Sequence, residues 1–402
     1  MVLMFLLFLS LYDKIIAMKI TIVCDVLGDP NNGTSIASYN LINYMLKKGH
    51  QVHVVCPDKD KVGRKGYYVV PTYDFHIFNG YVEHNGVVIS KRDDVILMRA
   101  VKEADIVHLM MPFGLGKRTA YICNRYHIPC TAGFHVQAEN FTSHFFVQNR
   151  RWANYLTYKY FFKKMYAYLD GIHYPTEFIR NTFEKVIQMK TNGYVISNGI
   201  SKDFYPKEVR RPEYLKDRIL ILFSGRYAKE KAHPVLIKAV KYSKYKDKIQ
   251  LIFAGKGPQE RALRKLAKKE GLKYPPIFQL FSHDEIVNTI RMCDLYVHPS
   301  NVEIEGISCL EAIAGGLIPV VSDSEKCATR DFAITPYNIF KANDSKDLAS
   351  KIDYWLDNPE KRKENKLMYK DFLKKFDREY CMSEMERMFK EIIEKKKNEK
   401  QK

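Results

Sequence analysis

Short apolar runs, separated by longer amphipathic stretches, repeat along the chain in two series. The first series occupies residues 20–24, 52–56, 106–110, 130–134, 171–174 and 194–197. The second series begins after Pro212 and occupies residues 219–223, 251–254, 277–281, 295–297 and 318–321. Continuous apolar strands that alternate with helices are typical of parallel sheets covered on both faces. We therefore predict an α/β protein with two Rossmann-like domains, whose parallel sheets face each other across a cleft.

A polar segment at residues 198–212 separates the two series and contains Pro206 and Pro212. Prolines in a polar stretch are typical of a linker, so this segment predicts the domain boundary. A Lys- and Glu-rich stretch at the end of the chain predicts a helix with apolar side chains available for packing. The predicted organisation is an N-terminal domain at 18–205, a C-terminal domain at 206–375, and a helix at 376–402 that packs back toward the N-terminal domain.

Residues 1–17 form an apolar extension in front of the first predicted strand. Its apolar run of about a dozen residues is shorter than the roughly 20 residues that span a bilayer. No basic residue precedes this run and no small-residue cleavage site follows it, which is unlike a secretory signal peptide. We expect translation to begin at Met18, and a membrane anchor at residues 1–17 is the alternative.

Composition and charge narrow the class of protein. A chain of 402 residues is longer than one ordinary hydrophobic core accommodates, which agrees with two domains. The eight cysteines include no C-x-x-C pair, which argues against a zinc site and a disulfide framework and favours reduced, buried thiols. The formal net charge of +19 predicts an anionic partner. Nucleic acid, an acidic membrane surface and a phosphorylated substrate all satisfy that charge.

The first candidate for chemistry is the segment that follows the strand predicted at 219–223. It contains Gly225, Arg226 and Lys231. Ligands of open α/β domains bind beyond the carboxyl ends of the strands, where a glycine permits a tight turn. Arginine binds phosphate as a fork and lysine as a point charge, and both would stabilise a departing diphosphate. A solvated basic turn is the alternative, and this segment alone does not exclude it.

A second candidate segment follows the strand predicted at 251–254. Gly255 and Gly257 would let the backbone approach a ligand, and Pro258 suits the first turn of a helix. Close packing of a strand against a helix explains the same two glycines nearly as well. We retain both as candidate donor-binding residues.

The strongest candidate segment lies between the strands predicted at 295–297 and 318–321. A helix is expected to begin near Gly306, so the amides of Gly306 and Ile307 would face anionic or hydroxyl-rich ligand groups. Glu311, on the first turns of that helix, can accept hydrogen bonds from a vicinal diol such as ribose. Glu303 lies on the preceding loop, where it can bind a sugar hydroxyl. Carboxylates in an otherwise apolar unit need partners, which favours a functional role.

These segments together resemble the retaining glycosyltransferases of family 4, which have the GT-B fold. Glu303 and Glu311 are separated by seven residues and match the family's E-x7-E motif, while Gly225, Arg226 and Lys231 match its Gly-Arg-x4-Lys motif. Asn32-Gly33 resembles the family's N-terminal Gly-Gly loop, with Asn in place of the first Gly. Residues 46–52 resemble its L-x-x-G-H-x-V segment. The resemblance extends from Met18 to about Phe376.

The resemblance also implies roles for individual residues. Arg226 and Lys231 would bind the diphosphate, Glu311 the ribose and Glu303 the transferred sugar. His135, after the fourth predicted strand, matches the histidine that faces the donor sugar in this family. Together with the glycines and helix amides considered above, the predicted donor-binding set is Gly33, Arg226, Lys231, Gly255, Gly257, Glu303, Gly306, Ile307 and Glu311. The predicted catalytic set is His135, Glu303, Arg226 and Lys231.

Enzymes of this kind retain the anomeric configuration without an obvious protein nucleophile, so we assign neither Glu303 nor Glu311 as nucleophile or base. Asp58-Lys59-Asp60 has the D-x-D pattern of metal-dependent glycosyltransferases. It follows a different strand in a Lys-rich loop, and we interpret it as a solvated turn. We predict no essential metal site and no cofactor, since the UDP-sugar is a substrate.

A candidate acceptor region lies between Phe141 and Tyr168, where no acidic residue occurs. Basic residues mixed with aromatic ones are typical of an interfacial membrane helix, in which each cation near anionic lipid contributes about 1 kcal/mol. An ordinary domain helix with a solvated face is the alternative, and helical periodicity does not decide between them. The candidate membrane-binding residues are Arg150, Arg151, Trp152, Lys159, Lys163 and Lys164.

The segments around His135 and between residues 302 and 312 resemble those of bacterial diacylglycerol glucosyltransferases, which dock on anionic membranes. This resemblance implies transfer of glucose or galactose from a UDP-sugar to the 3-hydroxyl of diacylglycerol, by a cytoplasmic protein attached peripherally to the inner face of the cell membrane. One alternative is a family-4 enzyme that acts on a soluble or polyprenyl-linked glycan. A basic nucleic-acid-binding protein is a remote alternative, because the sequence contains no recognition-helix or RNA-sheet motif, and we predict no nucleic-acid partner.

Overall fold

The computed structural model of the protein describes residues 17–25, 27–28, 33–73, 90–143 and 150–401. The chain divides into two compact units. Unit 1 comprises Met1–Ile196 together with Met382–Lys402, and unit 2 comprises Ser197–Cys381. Apart from Ala17, the predicted extension at 1–17 lies outside the described residues. Within the described ranges, no helix is long and apolar enough to cross a bilayer.

Unit 1 contains a seven-stranded parallel sheet in the order β3-β2-β1-β4-β5-β6-β7. The strands are β1 (Lys19–Val23), β2 (Gln51–Cys56), β3 (Tyr67–Val69), β4 (Ile106–Leu109), β5 (Cys130–Gly133), β6 (Gly171–Tyr174) and β7 (Gly193–Val195). The helices that connect them are α1 (Gly33–Lys47), α2 (Asp94–Val101), α3 (Gly114–Arg125), α4 (Ala138–Ser143), α5 (Arg151–Lys164) and α6 (Glu177–Ile187). Strand β4, of sequence Ile-Val-His-Leu, is buried along its whole length because it lies inside the sheet.

Unit 2 contains a six-stranded parallel sheet in the order β10-β9-β8-β11-β12-β13. The strands are β8 (Ile219–Ser224), β9 (Ile249–Ala254), β10 (Ile277–Gln279), β11 (Leu295–His298), β12 (Ile318–Ser322) and β13 (Ile339–Phe340). The helices are α7 (His233–Tyr242), α8 (Glu260–Lys269), α9 (His283–Met292), α10 (Ile307–Ala314), α11 (Ser345–Asp357) and α12 (Pro359–Leu373). The last helix, α13 (Arg378–Gln401), begins in unit 2 and continues into unit 1 from Met382 onward. Hydrophobic clusters cover both faces of this sheet, one including Phe223 and Trp355 and the other including Leu222 and Tyr296.

The predicted α/β fold with two parallel, Rossmann-like sheets is confirmed, and every predicted strand overlaps an observed one. The prediction missed β3 and β13, which are the short edge strands of sequence Tyr-Tyr-Val and Ile-Phe. Neither is long enough to form an apolar run that stands out from its surroundings. The eight cysteines are free and buried, as predicted.

The division between the units falls before the linker segment rather than at residue 205. Glu305 of unit 2 accepts hydrogen bonds from the Ser197 hydroxyl at 2.5 Å and from the Asn198 amide at 2.9 Å. These bonds tie the first linker residues to the loop that follows β11. The start of the predicted linker is therefore part of unit 2.

The second part of helix α13 belongs to unit 1 and packs on its sheet and helices. Glu386 lies 3.3 Å from the Nε2 atom of the fully buried His50, and the Phe389 ring lies 5.3 Å from the His108 ring. Further along, the Lys396 ammonium donates to Asp170 at 2.6 Å. The end of the chain therefore contributes to the core of unit 1.

Candidate active site

The loop after β8 carries the first of the predicted donor-binding cations. The amide of Gly225 donates to the Ala254 carbonyl oxygen at 2.9 Å, and the amide of Tyr227 donates to the Lys256 carbonyl oxygen at 3.0 Å. Between them, the side chain of Arg226 is exposed and has no hydrogen-bond or ion-pair partner in the described part of the chain. A fixed backbone thus presents a free guanidinium at the carboxyl end of β8, where an anionic ligand would bind.

Gly255 and Gly257 allow the loop after β9 to pack directly on the loop after β8. A Cβ atom added at Gly255 would lie 2.2 Å from the Gly225 carbonyl oxygen, and one at Gly257 would lie 2.7 Å from the Tyr227 amide nitrogen. A side chain at either position would push the two backbones apart. Close backbone packing therefore accounts for both glycines, and their contact with a donor stays a prediction.

Lys231 and Glu303 form a largely buried ion pair, in which the Lys231 ammonium contacts Oε2 of Glu303. Lys231 ends a short 3₁₀ turn at Lys229–Lys231. The Glu303 loop is held by its own backbone, since the Glu303 amide donates to the Lys326 carbonyl oxygen at 3.1 Å and its carbonyl accepts from the Ala328 amide at 2.8 Å. Burial would raise the pKa of the Glu303 carboxyl, but the Lys231 ammonium and the His298 ring lower it to about 2. Glu303 is therefore a carboxylate near neutral pH.

A hydrogen-bond network that the sequence did not reveal joins Glu303 to the end of β8. His298 Nε2 lies 3.2 Å from Glu303 Oε2, and His298 Nδ1 lies 3.1 Å from the Tyr296 hydroxyl. The Tyr296 hydroxyl lies 3.1 Å from Ser308 Oγ, which donates to the Ser224 carbonyl oxygen at 2.9 Å. Tyr296 and His298 are polar residues in a fully buried strand, and this was the one signal in the sequence that could have identified them.

Helix α10 begins where the sequence predicted it, with Gly306 at its N-cap and Ile307 as its first residue. Gly306 has a φ of 77°, and a Cβ atom there would lie 2.2 Å from Thr329 Cγ2, so both its backbone angle and its surroundings require glycine. The first amides of a helix have no acceptor within the helix. Those of Gly306 and Ile307 are accordingly placed to bind a ligand oxygen.

Glu311 lies one turn into α10 with a half-buried side chain. Burial raises the pKa of its carboxyl to about 8, although the Arg378 guanidinium acts in the opposite direction. Within the described ranges no donor lies within hydrogen-bond distance of this carboxyl. A half-buried carboxyl without a protein partner is the kind of group that a bound ribose would satisfy.

Glu305, one of the seven residues between the two motif carboxylates, has a structural role. In addition to its bonds with Ser197 and the Asn198 amide, it accepts from Asn198 Nδ2 at 2.5 Å. Burial raises the pKa of its carboxyl to about 7, against the effect of these hydrogen bonds. It anchors the start of unit 2, and both of its carboxylate oxygens accept hydrogen bonds from that segment.

Two predicted donor-site residues, Gly33 and His135, belong to unit 1. Gly33 is the first residue of α1, and a Cβ atom added there would meet nothing within 4 Å, so packing does not require glycine at this position. Asn32 lies outside the described residues. His135 follows β5, its ring lies 5.5 Å from the His173 ring, and its buried Nε2 has no hydrogen-bond partner in the part of unit 1 that is described. Burial and His173 lower the pKa of His135 to about 3, so the ring is neutral.

The D-x-D pattern lies at a short turn of unit 1 between β2 and β3. Asp58 is half-buried and accepts a hydrogen bond from the Gly28 amide at 2.9 Å, and Asp60 pairs with Lys61. Asp58 therefore holds a neighbouring loop, which is more than the solvated turn that the sequence indicated. Among the described residues, no group of three or more His, Cys, Asp or Glu side chains is arranged to hold a metal ion.

Helix α5 divides its side chains between the core and solvent. Tyr158 and Phe161 are buried, whereas Trp152 is 62% exposed and Leu156 is 55% exposed. Tyr155 and Tyr160 are also exposed, and the Lys159 ammonium lies 5.3 Å from the centre of the Tyr155 ring. Most of the predicted cations, namely Arg150, Arg151, Lys163 and Lys164, are exposed as well.

Helix α3 extends this exposed region, which the sequence did not indicate. Lys117 of α3 donates to the Tyr160 hydroxyl at 2.8 Å. The Arg118 guanidinium lies 5.2 Å from the centre of the exposed Tyr121 ring. We use the name α3–α5 surface for a group of exposed aromatic, apolar and basic side chains of these two helices and of Arg150, which precedes α5, together with the half-buried Lys159. Its members are Tyr121, Arg150, Arg151, Trp152, Tyr155, Leu156, Lys159, Tyr160, Lys163 and Lys164. Its mixture of rings and cations is typical of a surface that contacts a lipid interface.

Comparison with known proteins assigns both halves of the chain. The family model "Glycosyltransferase Family 4" matches residues 31–204, and the model "Glycosyl transferases group 1" matches residues 205–366. The chain is 26% identical over 312 residues to an alpha-monoglucosyldiacylglycerol synthase of Acholeplasma laidlawii. This match covers 72% of this chain and 76% of that protein. It is 23% identical over 321 residues to a protein of the same name from Streptococcus pneumoniae, which covers 76% of this chain and 71% of that protein.

Solved structures show the same architecture. Anabaena HepE, crystallised with UDP and glucose, aligns with a TM-score of 0.69 at 14% identity, over 93% of this chain and all of that one. A glycosyltransferase from Rickettsia africae aligns with a TM-score of 0.67 at 16% identity, over 94% of this chain and 99% of that one. At these identities the likeness concerns the fold. With two parallel-sheet Rossmann-like domains and both halves matched by glycosyltransferase models, the chain belongs to the family-4 glycosyltransferases, with a GT-B fold.

Proposed function

We propose that the protein is a retaining glycosyltransferase that moves a hexose, glucose or galactose, from a UDP-sugar to the 3-hydroxyl of diacylglycerol at a membrane surface. The observation that carries this proposal is the pairing of a donor-type site in unit 2 with the α3–α5 surface in unit 1. A soluble acceptor would not require the second feature.

The donor side of the proposal rests on the carboxyl ends of β8 and β11. Arg226 offers a free guanidinium and Lys231 a largely buried ammonium, which suit a diphosphate. Glu311 offers a carboxyl without a protein partner, which suits the ribose hydroxyls. HepE, whose fold is similar, was crystallised with UDP and glucose, and this agrees with a UDP-sugar donor.

In the proposed reaction, the 3-hydroxyl oxygen of diacylglycerol bonds to the anomeric carbon as the bond from that carbon to the diphosphate oxygen breaks. The hydroxyl proton passes to the departing diphosphate on the same face, so the anomeric configuration is retained. Arg226, Lys231 and the amides of Gly306 and Ile307 stabilise the charge that develops on the diphosphate. Glu303 is already ionised and paired with Lys231, so its role is to bind a hydroxyl of the sugar.

The acceptor side rests on the relatives and on the α3–α5 surface. Two relatives that cover most of the chain are alpha-monoglucosyldiacylglycerol synthases. Exposed Trp and Leu side chains on α5 can enter the boundary between headgroups and acyl chains, while neighbouring cations attract anionic lipid. The net charge of +19 acts in the same direction. We infer attachment to the cytoplasmic face of the cell membrane.

The test is a transfer assay with purified protein, radiolabelled UDP-glucose or UDP-galactose, and vesicles of phosphatidylglycerol that contain diacylglycerol. We expect labelled monohexosyldiacylglycerol from one of the two donors, and far less of it with the Arg226→Ala variant. Vesicles without diacylglycerol and vesicles of phosphatidylcholine alone are the controls. Label that appears on a soluble or polyprenyl-linked glycan instead would replace the lipid acceptor by the alternative, and no transfer from either donor would refute the proposed donor.

A further inference from the structure

His298 is the last residue of β11 and is fully buried. Its ring makes a polar contact on each side, with Glu303 Oε2 at 3.2 Å from Nε2 and with the Tyr296 hydroxyl at 3.1 Å from Nδ1. None of the donor motifs includes this residue. Its position between a motif carboxylate and the end of β8 nevertheless links two segments of the site.

The contacts fix the tautomer of the ring. Because Glu303 is a carboxylate, it can only accept, so Nε2 of His298 carries the proton and donates to it. Nδ1 then has a lone pair and can accept the proton of the Tyr296 hydroxyl, for which it is a nearer acceptor at 3.1 Å than the Ser224 carbonyl oxygen at 3.4 Å. The Tyr296 hydroxyl also lies 3.1 Å from Ser308 Oγ, which donates to the Ser224 carbonyl oxygen at 2.9 Å. Because Ser224 is the last residue of β8, Tyr296 is held at the end of that strand. The ring is a neutral donor with one defined orientation.

Glu303 has two neighbours, and a ligand competes for one of them. Lys231 and His298 both contact Oε2, and Oε1 has no protein donor within the described part of unit 2. A diphosphate carries more negative charge than a carboxylate, so a bound donor draws the Lys231 ammonium toward itself. Glu303 would then depend on His298 for its orientation.

We propose that His298 is a positioning residue for Glu303, whose Nε2–H holds Oε2 and so keeps Oε1 available to a hydroxyl of the donor sugar when Lys231 binds the diphosphate. This role rests on the proposed function, because it requires a nucleoside diphosphate sugar in the site. The residue itself touches neither donor nor acceptor.

The test compares three variants of the full chain. His298→Phe removes both polar contacts and keeps an aromatic ring, whereas His298→Gln restores an N–H donor close to the position of Nε2. His233→Phe is the matched control, since His233 is also fully buried, packs on Phe223 with ring centres 4.4 Å apart, and has no hydrogen-bond partner at either ring nitrogen in the described part of the chain. Thermal unfolding of each variant verifies that it is folded.

Calorimetric titration with UDP and with UDP-glucose, together with kcat for transfer, separates positioning from packing. For His298→Phe we expect kcat to fall on the order of 10-fold to 100-fold, as misplacement of a site residue does. UDP affinity should change less than about 2-fold, because its proposed partners are Arg226, Lys231 and Glu311. The factor by which UDP-glucose binds more tightly than UDP should become smaller. His298→Gln should recover much of both losses, and His233→Phe should behave like the parent.

Each outcome decides between the two proposals. Parental kcat and a parental UDP-glucose advantage in His298→Phe would overturn the role of His298, and so would equal losses in His298→Phe, His298→Gln and His233→Phe, which would indicate packing alone. A parent protein that binds neither UDP nor UDP-glucose would overturn the proposed function, and the role of His298 with it.

Discussion

The proposed donor site of unit 2 and the α3–α5 surface of unit 1 differ in how their charged groups are held. In the donor site, Lys231, Glu303 and His298 hold one another in a largely buried network. On the α3–α5 surface, Trp152 and Leu156 are exposed, and the neighbouring cations are mostly exposed as well. We therefore expect the first region to select a ligand by fixed geometry, and the second to suit a fluid partner such as a lipid surface.

The largest effect is expected from the free cation of the donor site. Arg226→Ala should reduce transfer by about 100-fold to 1,000-fold, the usual loss when a fixed group that stabilises developing charge is removed. The melting temperature should stay near that of the parent, because Arg226 has no protein partner to lose in the described part of the chain.

Arg264→Ala is the matched control, since Arg264 is an exposed arginine of α8 that pairs with Glu260 at 2.8 Å. Steady-state assays of both variants make the comparison. Near-parental turnover in Arg226→Ala would remove this residue from the donor site.

A smaller effect is expected from neutralising the α3–α5 surface. Replacing Arg150, Arg151, Lys159, Lys163 and Lys164 together by Gln should greatly weaken sedimentation with phosphatidylglycerol vesicles and lower activity on diacylglycerol. UDP affinity should be unchanged, because its proposed partners Arg226, Lys231 and Glu311 lie in the other unit. Exposed charges are screened by salt, with a Debye length of about 8 Å at physiological ionic strength, so added salt should weaken vesicle binding of the parent.

Trp152→Ala should weaken vesicle binding without changing its salt dependence, because the tryptophan contributes apolar burial rather than charge. If the variant with five Gln substitutions sedimented with the vesicles like the parent, the docking surface would lie elsewhere on the protein.

The pH dependence of stability tests whether the Glu311 carboxyl is as desolvated as the structure indicates. Its pKa is raised to about 8 in the folded protein, above about 4.3 for an exposed glutamate. A folded state that binds the proton more tightly than the unfolded state loses stability as pH rises through this range.

The Glu311→Gln variant cannot ionise at this position. As the pH rises from 5 to 8, the melting temperature of the parent should therefore fall relative to that of the variant. Differential scanning calorimetry of both proteins across this range supplies the measurement. A constant difference between them would show that Glu311 is as well solvated as a surface carboxylate.

The smallest effect concerns the backbone beside Lys231. Ala232 has a left-handed conformation with a φ of 48°, which costs an L-residue about 1–2 kcal/mol, while glycine loses about 0.5–1 kcal/mol of conformational entropy. Ala232→Gly should raise the free energy of unfolding by up to about 1 kcal/mol, measured by urea denaturation. A loss of stability would show that Ala232 contributes more through its buried methyl group than it loses through strain.

The same contrast explains what the sequence could predict. The E-x7-E spacing is local, because Glu303 and Glu311 lie on one loop and the helix that follows it, and their placement follows from the order of strand and helix. The network of Tyr296, His298 and Ser308 depends on how β8, β11 and α10 approach in space, which no local spacing records. The two glycines after β9 were ambiguous for the same reason, because only the structure shows the backbone against which they pack.

Surface features were harder to predict from the sequence. The periodicity of α5 did not separate its faces, since aromatic residues such as Tyr158 and Tyr160 occur on both its buried and its exposed side. Helix α3 was not identified as a neighbour, because Lys117 and Tyr160 are far apart in the chain and meet only after folding. The short edge strands β3 and β13 were not predicted, because most of their residues are only half-buried and neither strand has an apolar run of its own.

The most direct test of the account is the structure of the product. Purified protein is incubated with UDP-α-glucose or UDP-α-galactose and vesicles that contain diacylglycerol, and the glycolipid is analysed by the proton NMR signal of its anomeric centre. We expect one α-linked hexose on the 3-hydroxyl of diacylglycerol. A β-linked product would contradict retention, and sugar found on a different acceptor, or on none, would contradict the pairing of the donor site with a lipid-facing surface.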